Sequence, residues 1–236
     1  MILGVIGGLG PLATAYFMEL VIKMTDAGSD QEHIEMIIYN TPSVPDRTEY
    51  ILDKRKECPI DPMIKTGRKL VDQGAGIIAI PCITAHYFHK ELEEGIGAHI
   101  IQGIFETAAY LSENGITKVG IAATDGTISS GIFQKELENA GIEVVLPSAE
   151  SQKDVMHIIY KNVKAGVPVE MDKFRKASKE LRDKGAQIII LGCTELSLIK
   201  RDSDIGSGYI DAMEVLARVS VCECGGRLKK EYQSLI

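Results

Sequence analysis

Two cysteines end two similar segments of the chain. The first segment reads KLVDQGAGIIAIPC and ends at Cys82, and the second reads KELRDKGAQIIILGC and ends at Cys193. When the cysteines are aligned, leucine, glycine, alanine and isoleucine residues also coincide, and every aligned pair is 111 residues apart. A looser correspondence relates GVIGGLG at 4–10 to GIAATDG at 120–126. Internal similarity of this kind predicts two homologous lobes.

Each cysteine follows an apolar run and precedes a segment of helical character. This places both thiols at the carboxyl ends of strands, where open α/β sheets bind ligands. The helix N-terminus that follows has unpaired N–H groups and a partial positive charge. We therefore expect both cysteine pKa values to lie below the usual value of about 8.5. The same N–H groups, with Thr84 and Thr194, could hold a substrate carboxylate.

Opposed thiols suit one kind of reaction. If a pseudo-twofold axis relates the lobes, Cys82 and Cys193 face each other across a cleft. Racemisation removes a proton from one face of a carbon and returns one to the other face, so it needs two acid–base groups with pKa values near the working pH. Two alternatives remain: buried cysteines that serve as small apolar side chains, and a redox pair, which the absence of a CxxC spacing disfavours.

Strands and helices alternate along the sequence, which indicates an α/β fold with mainly parallel sheets flanked by helices. We expect two similar lobes with the active site between them. The first comprises residues 1–106 plus 212–236, and the second comprises 107–211. Predicted strands cover 2–6, 35–39, 76–80, 99–101, 118–122, 143–146, 187–191 and 208–210, and predicted helices cover 14–25, 61–73, 107–114, 130–140, 152–165 and 171–184.

Composition narrows the class of protein. The chain has 236 residues, 45% of them hydrophobic and 25% charged, which is typical of a globular protein with a real core. No apolar run is long enough to span a bilayer, and a net charge of −7 without a basic cluster argues against nucleic acid as a partner. Five unevenly spaced cysteines favour free thiols in a reducing, cytoplasmic setting. Cys222 and Cys224 give only a weak metal-binding signal.

The sequence resembles the aspartate/glutamate racemase family along essentially its whole length. That resemblance implies two α/β domains with the active site between them, no pyridoxal phosphate, no metal, a small acidic amino acid as substrate, and often a homodimer. It is carried by GGLGP at 7–11 with Thr14, PDRTEYIL at 45–52, PCITAH at 81–86, ATDGTISSG at 123–131, NVKAG at 162–166 and LGCTEL at 191–196.

The resemblance also implies roles for individual residues. Cys82 and Cys193 match the acid–base pair, and Arg47 and Lys164 match the cations that bind substrate carboxylates. Bidentate guanidinium–carboxylate pairing is a physical reason for the arginine. Glu195 would bind the substrate ammonium group or orient Cys193. The remaining matches are substrate-binding positions in the turns around the cleft: Gly8, Leu9, Gly10, Thr84, Thr124, Thr127 and Thr194.

Ile83 departs from the family pattern, which has asparagine directly after the first cysteine. An amide that donates and accepts hydrogen bonds is replaced by an apolar group at this candidate substrate-binding position. If that amide holds the α-carboxylate, its loss costs about 1.5–3 kcal/mol of binding. Two alternatives follow: an impaired or purely binding homologue, or a related two-cysteine enzyme such as a hydantoin racemase or a maleate-isomerase-like protein. His86, nearby, is expected to pack rather than to catalyse.

Overall fold

Two parallel sheets form the centre of the structure. The computed structural model describes residues 1–236. The first sheet contains β1 (Ile2–Gly7), β2 (Met36–Asn40) and β3 (Ala75–Ala79) in the order β2-β1-β3. The second contains β4 (Lys118–Ala122), β5 (Glu143–Val145), β6 (Ile188–Leu191) and β7 (Tyr209–Asp211) in the order β5-β4-β6-β7. The predicted α/β class, with parallel sheets in two similar lobes, is confirmed.

Helices cover both sheets. In chain order they are α1 (Pro11–Met24), α2 (Arg47–Leu52), α3 (Ile60–Asp72), α4 (His89–Ile96), α5 (Gly103–Glu113), α6 (Asp125–Ser130), α7 (Ile132–Asn139), α8 (Ala149–His157), α9 (Met171–Asp183), α10 (Thr194–Asp202) and α11 (Ala212–Glu223). Short 3₁₀ helices cover Asp30–Glu32, Ile83–Phe88 and Lys230–Tyr232, and a π-helical turn covers Ile158–Val163. No helix is both long and apolar enough to cross a membrane.

The internal repeat is visible in the strand register. Gly4 of β1 pairs with Ile78 of β3, and Gly120 of β4 pairs in the same way with Ile189 of β6. This shared register agrees with the looser correspondence between 4–10 and 120–126. A β-carbon on Gly4 would press on Leu70, and one on Gly120 would press on Leu181. Each lobe therefore has a glycine at the equivalent strand position, and this glycine lets a helix, α3 or α9, pack closely on the sheet.

The fourth strand position differs between the lobes. Strand β7 pairs with β6 over three residues, starting at Ile189 and Tyr209. In the first lobe, the predicted strand at 99–101 is reduced to a single parallel bridge between Ile78 and Ile100. The strand order is otherwise the same, with the bridge in the place of β7.

Three predicted helices have a different form. The segment at 130–140 is divided between α6 and α7 because Gly131 adopts φ +68°, a left-handed conformation that ends a helix. The segment at 152–165 begins as α8 and widens into the π-helical turn. The residues after Cys82 form a 3₁₀ helix before α4 begins at His89.

The C-terminal segment contacts the first lobe. Helix α11 packs against α1 and α5. Beyond it, Lys229 N–H donates to the carbonyl of Met24, and Leu235 N–H donates to the hydroxyl of Tyr110. The contacts with α1 and with Met24 support the proposal that 212–236 belongs with 1–106, whereas Tyr110 lies in the range 107–211. The proposed boundary to 107–211 falls inside α5, and the division stays a proposal.

Candidate active site

Cys82 and Cys193 line one narrow chamber between the lobes. Cys82 follows β3 and is 6% exposed, and Cys193 caps the N-terminus of α10 and is 5% exposed. The chamber is almost closed, with a cavity volume of about 10 Å³, about the space of one water molecule. Its walls are Leu9, Asp46, Arg47, Thr48, Cys82, Ile83, Thr84, Thr124, Tyr160, Lys164, Cys193, Thr194 and Glu195.

A wider vestibule with a cavity volume of about 400 Å³, which is open to solvent, lies next to the chamber. Gly8, Gly10, Pro11 and Leu12 contribute to its wall. The two spaces adjoin at five shared wall residues: Leu9, Asp46, Arg47, Lys164 and Glu195.

The turn at Gly8–Gly10 is fixed by its glycine and by Thr14. Gly8 has φ +89°, and a β-carbon there would overlap the backbone of Thr41. Gly8 N–H donates to Thr14 Oγ1 at 2.9 Å, and Thr14 Oγ1 donates to the carbonyl of Gly10 at 3.0 Å. This turn holds Leu9 against the chamber at the start of α1.

Arg47 is a buried structural cation beside Cys82. Its terminal nitrogens donate to the carbonyl groups of Leu9 (3.0 Å), Pro45 (3.0 Å) and Val44 (3.3 Å). These bonds use three of the five guanidinium N–H donors. One of the other two is on Nε, which is buried and has no hydrogen-bond partner. Burial opposes the charge, but the neighbouring Cys82 and acidic side chains raise the pKa of Arg47. A thiolate on Cys82 would therefore lie next to a permanent positive charge.

Lys164 is joined to the first lobe by Asp46. The lysine ammonium lies 3.5 Å from Asp46 Oδ2 and 4.0 Å from the centre of the Tyr160 ring, and the Tyr160 hydroxyl donates to the same carboxylate at 3.1 Å. Burial opposes the charge of Lys164, but Glu195 and the other acidic neighbours raise its pKa. The lysine is therefore a partly buried cation at the mouth of the chamber.

The surroundings of Cys193 change its pKa in the direction opposite to that predicted from the sequence. Its thiol donates to Glu195 Oε2 at 2.9 Å. Burial, followed by the charge of Glu195, raises the pKa of Cys193 well above its usual value, although Lys164 acts in the opposite direction. The prediction of a lowered pKa is wrong. The positive end of the helix stabilises the thiolate less than burial and the neighbouring carboxylate destabilise it. Cys193 is therefore held as a thiol.

Three threonine hydroxyls from both lobes meet beside the chamber. Thr84, Thr124 and Thr127 form a triangle in which each Oγ1–Oγ1 distance is 3.1 Å. Thr124 also caps α6 by accepting from Thr127 N–H. All three side chains are buried. They form a polar wall whose hydroxyls could turn towards a carboxylate.

The chain thus brings the residues singled out from the sequence to one place. Ten line the chamber, Gly8 and Gly10 line the vestibule, and Thr127 joins the threonine triangle. Three chamber residues were missed: Asp46, Thr48 and Tyr160. Tyr160 lies four residues before Lys164, so the helical spacing could have indicated a shared face.

Other candidates lie away from the chamber. His86 is fully buried, accepts from Gly103 N–H through Nδ1 at 3.3 Å, and bonds the carbonyl of Ile80 through Nε2 at 3.1 Å. Burial lowers the pKa of His86 to about 4, so the ring is neutral and packs, as expected. Cys222 is exposed and Cys224 is buried at the end of α11.

Comparison with known proteins identifies the class to which this fold and site belong. The family model for Asp/Glu/hydantoin racemases matches residues 6–219. The structure superposes on Picrophilus torridus aspartate racemase with a TM-score of 0.85 and 32% identity, covering 98% of this chain and 97% of that one. An aspartate racemase homologue from Pyrococcus horikoshii gives a TM-score of 0.76 and 25% identity, covering 94% and 98%.

A curated relative supports the same class. The broad specificity amino-acid racemase RacX of Bacillus subtilis is 28% identical over 230 residues, which cover 93% of this chain and 96% of RacX. The fold and the matches together define a two-lobed α/β racemase. The chain belongs to the Asp/Glu/hydantoin racemase family.

Proposed function

We propose that the protein is a cofactor-independent racemase that interconverts the L and D forms of aspartate or glutamate. The observation that carries the proposal is the placement of Cys82 and Cys193, at matched strand ends, on one chamber between the lobes. Arg47 and Lys164 support the acidic substrate because two cations border that chamber. A homodimer and a cytoplasmic location stay predictions.

The two thiols have unequal surroundings, which suggests their resting roles. Cys82 lies beside Arg47 and is proposed to act as the thiolate that removes the α-proton. Cys193, held as a thiol by burial and Glu195, donates a proton to the opposite face of the carbanion. The first sulfur gains a proton and the second loses one, so the roles are exchanged for the reverse reaction.

The function is tested by incubating the wild-type protein with single enantiomers of aspartate and glutamate. No cofactor is added, a chelator is present, and the products are resolved by chiral chromatography. Alanine and leucine serve as neutral comparison substrates. We expect the acidic amino acids to approach equal amounts of both enantiomers. Racemisation of neutral amino acids alone would overturn the acidic substrate, and racemisation that requires added pyridoxal phosphate would overturn the cofactor-independent mechanism.

Ile83 bears on the alternative of an impaired or binding homologue. Its side chain is 1% exposed, lines the chamber beside Cys82 and also belongs to the apolar core shared by the two lobes. That packing favours a cleft adapted to isoleucine rather than one that merely lacks an amide.

We predict that Ile83→Asn destabilises the protein by about 1–3 kcal/mol, because the amide enters an apolar core without established partners. We also predict no increase in racemisation. Urea unfolding and the chiral assay measure the two effects, with Ile83→Val as the control for lost volume. A clear gain in activity on Ile83→Asn would instead support the impaired homologue.

A further inference from the structure

Helix α10 is tied to the next strand end by two buried side chains. Ser197 lies four residues after Cys193, one helical turn further along the same face. Its hydroxyl donates to Asp211 Oδ1 at 2.7 Å. The same oxygen accepts from Met213 N–H at 2.9 Å, in the first turn of α11. Both side chains are completely buried. The turn that carries Cys193 is therefore bonded to the start of α11.

The first lobe contains the matching connection with different chemistry. His86 lies four residues after Cys82, as Ser197 lies four residues after Cys193. His86 bonds to the backbone N–H of Gly103, the first residue of α5. In each lobe, the turn after the cysteine is thus bonded to the helix that follows the next strand position.

The capping residues of those two helices also correspond. Gln102 caps α5 by accepting from Ile104 N–H, and Asp211 caps α11 by accepting from Met213 N–H. Each capping residue lies at the end of the chain segment that pairs with its lobe's cysteine-bearing strand: Asp211 is the last residue of β7, and Gln102 lies two residues after the bridge at Ile100. The repeat has therefore kept an arrangement of three parts: the cysteine turn, a side chain four residues on, and the capped helix.

One carboxylate oxygen of Asp211 makes no hydrogen bond. This oxygen, Oδ2, is buried. The groups that act on it are Ser197 and Lys200 from α10, and Glu214 from α11, which forms an ion pair with Lys200 at 2.5 Å. The charge of Asp211 also contributes to the raised pKa of Tyr16 in α1. Burial and then Glu214 raise the pKa of Asp211 to about 7, so the carboxyl is largely protonated below neutral pH.

We propose that Ser197 and Asp211 are positioning residues that hold the first turn of α10, and with it Cys193, in the geometry needed for proton transfer. His86 holds the Cys82 turn in the same way. None of these residues lines the chamber, so their effect passes through the helix that they fix. The inference rests on the two-cysteine mechanism proposed above.

The test compares Ser197→Ala, Asp211→Ala and Asp211→Asn with Ser220→Ala. Ser220 is an equally buried serine whose hydroxyl bonds within α11 and does not reach α10. We expect Ser197→Ala and Asp211→Ala to lower kcat roughly 10-fold with KM nearly unchanged, because a small misplacement of a reacting group costs up to about 100-fold. Asp211→Asn mimics the protonated carboxyl and should keep most of the wild-type kcat at pH 7. Ser220→Ala should resemble the wild type.

Two further readouts are used, of which the first separates positioning from a general loss of stability. With α-deuterated substrates, Ser197→Ala should raise the primary isotope effect only in the direction in which Cys193 removes the proton. The second readout is thermal unfolding against pH. Since the folded-state pKa of Asp211 exceeds its unfolded value of about 4, the contribution of this carboxyl to stability should fall as pH rises from about 4 to about 7, so the wild type should lose stability relative to Asp211→Asn over that range. An unchanged stability difference between the two proteins from about pH 4 to about pH 7 would contradict the raised pKa of Asp211.

The proposal and the racemase function can fail separately. If the wild type racemises but Ser197→Ala and Asp211→Ala behave like Ser220→Ala, the positioning role is overturned and the function stands. If the wild type shows no turnover, iodoacetamide labelling followed by mass spectrometry replaces the kinetics. Ser197→Ala should then change the labelling rate of Cys193 severalfold while that of Cys82 is unchanged. Equal rates in Ser197→Ala and the wild type would overturn the proposal.

Discussion

Cys82→Ala and Cys193→Ala each lose racemisation by about 10³-fold or more, while both variants stay folded. Each substitution removes one of the two thiols proposed to exchange protons with the α-carbon, and a positioned acid–base group contributes about 10²–10⁴-fold. The loss is measured by chiral chromatography after adding one enantiomer. Cys222→Ala is the matched control, because Cys222 is an exposed cysteine at the far end of α11.

Each single-cysteine variant should still remove a proton from one face. In heavy water, Cys82→Ala is expected to place deuterium slowly into one enantiomer, and Cys193→Ala into the other, without inversion. A variant that racemises at the wild-type rate would contradict the assignment of its cysteine. Loss of activity in Cys222→Ala would point to a general effect of thiol removal.

Arg47→Lys is the second substitution with a large expected effect. Lysine keeps the charge, but its three donors cannot span the carbonyl groups of Leu9, Val44 and Pro45 and still face Cys82. We expect kcat/KM to fall by about 10²-fold, which corresponds to roughly 2.7 kcal/mol of transition-state stabilisation. The free energy of unfolding should fall as well, since buried carbonyl groups lose partners.

The control is Arg55→Lys, which alters an exposed arginine that pairs with Asp53. This variant should match the wild type in both activity and unfolding, because exposed ion pairs contribute about 0–1 kcal/mol. Wild-type kinetics in Arg47→Lys would show that neither the guanidinium geometry nor its hydrogen bonds are needed at the site.

The sequence predicted the parts of the site that follow from the repeat. The matched glycines at 74 and 185 both adopt positive φ shortly before the strand that leads to a cysteine, so each cysteine could be placed at a strand end. The register of Gly4 and Gly120 then follows from the same pattern. These features depend on local rules of turns and strands, which a single sequence expresses directly.

Other parts of the site depend on contacts between distant segments. Asp46 and Tyr160 meet across the cleft, and nothing near either residue in the sequence indicates the partner. The predicted helix at 152–165 also concealed the π-helical turn that carries Tyr160. The pKa of Cys193 was predicted in the wrong direction because its burial and the orientation of Glu195 are tertiary properties.

The most direct test of the two-cysteine mechanism follows deuterium and configuration together. Wild-type protein is incubated in heavy water with one enantiomer of aspartate or glutamate. At low conversion the two enantiomers are separated, and the deuterium content of each is measured by mass spectrometry. Two opposed thiols predict that the newly formed enantiomer carries deuterium at the α-carbon while the remaining substrate stays almost entirely unlabelled. Equal labelling of substrate and product would contradict the account, because it would show that one group removes and returns the proton.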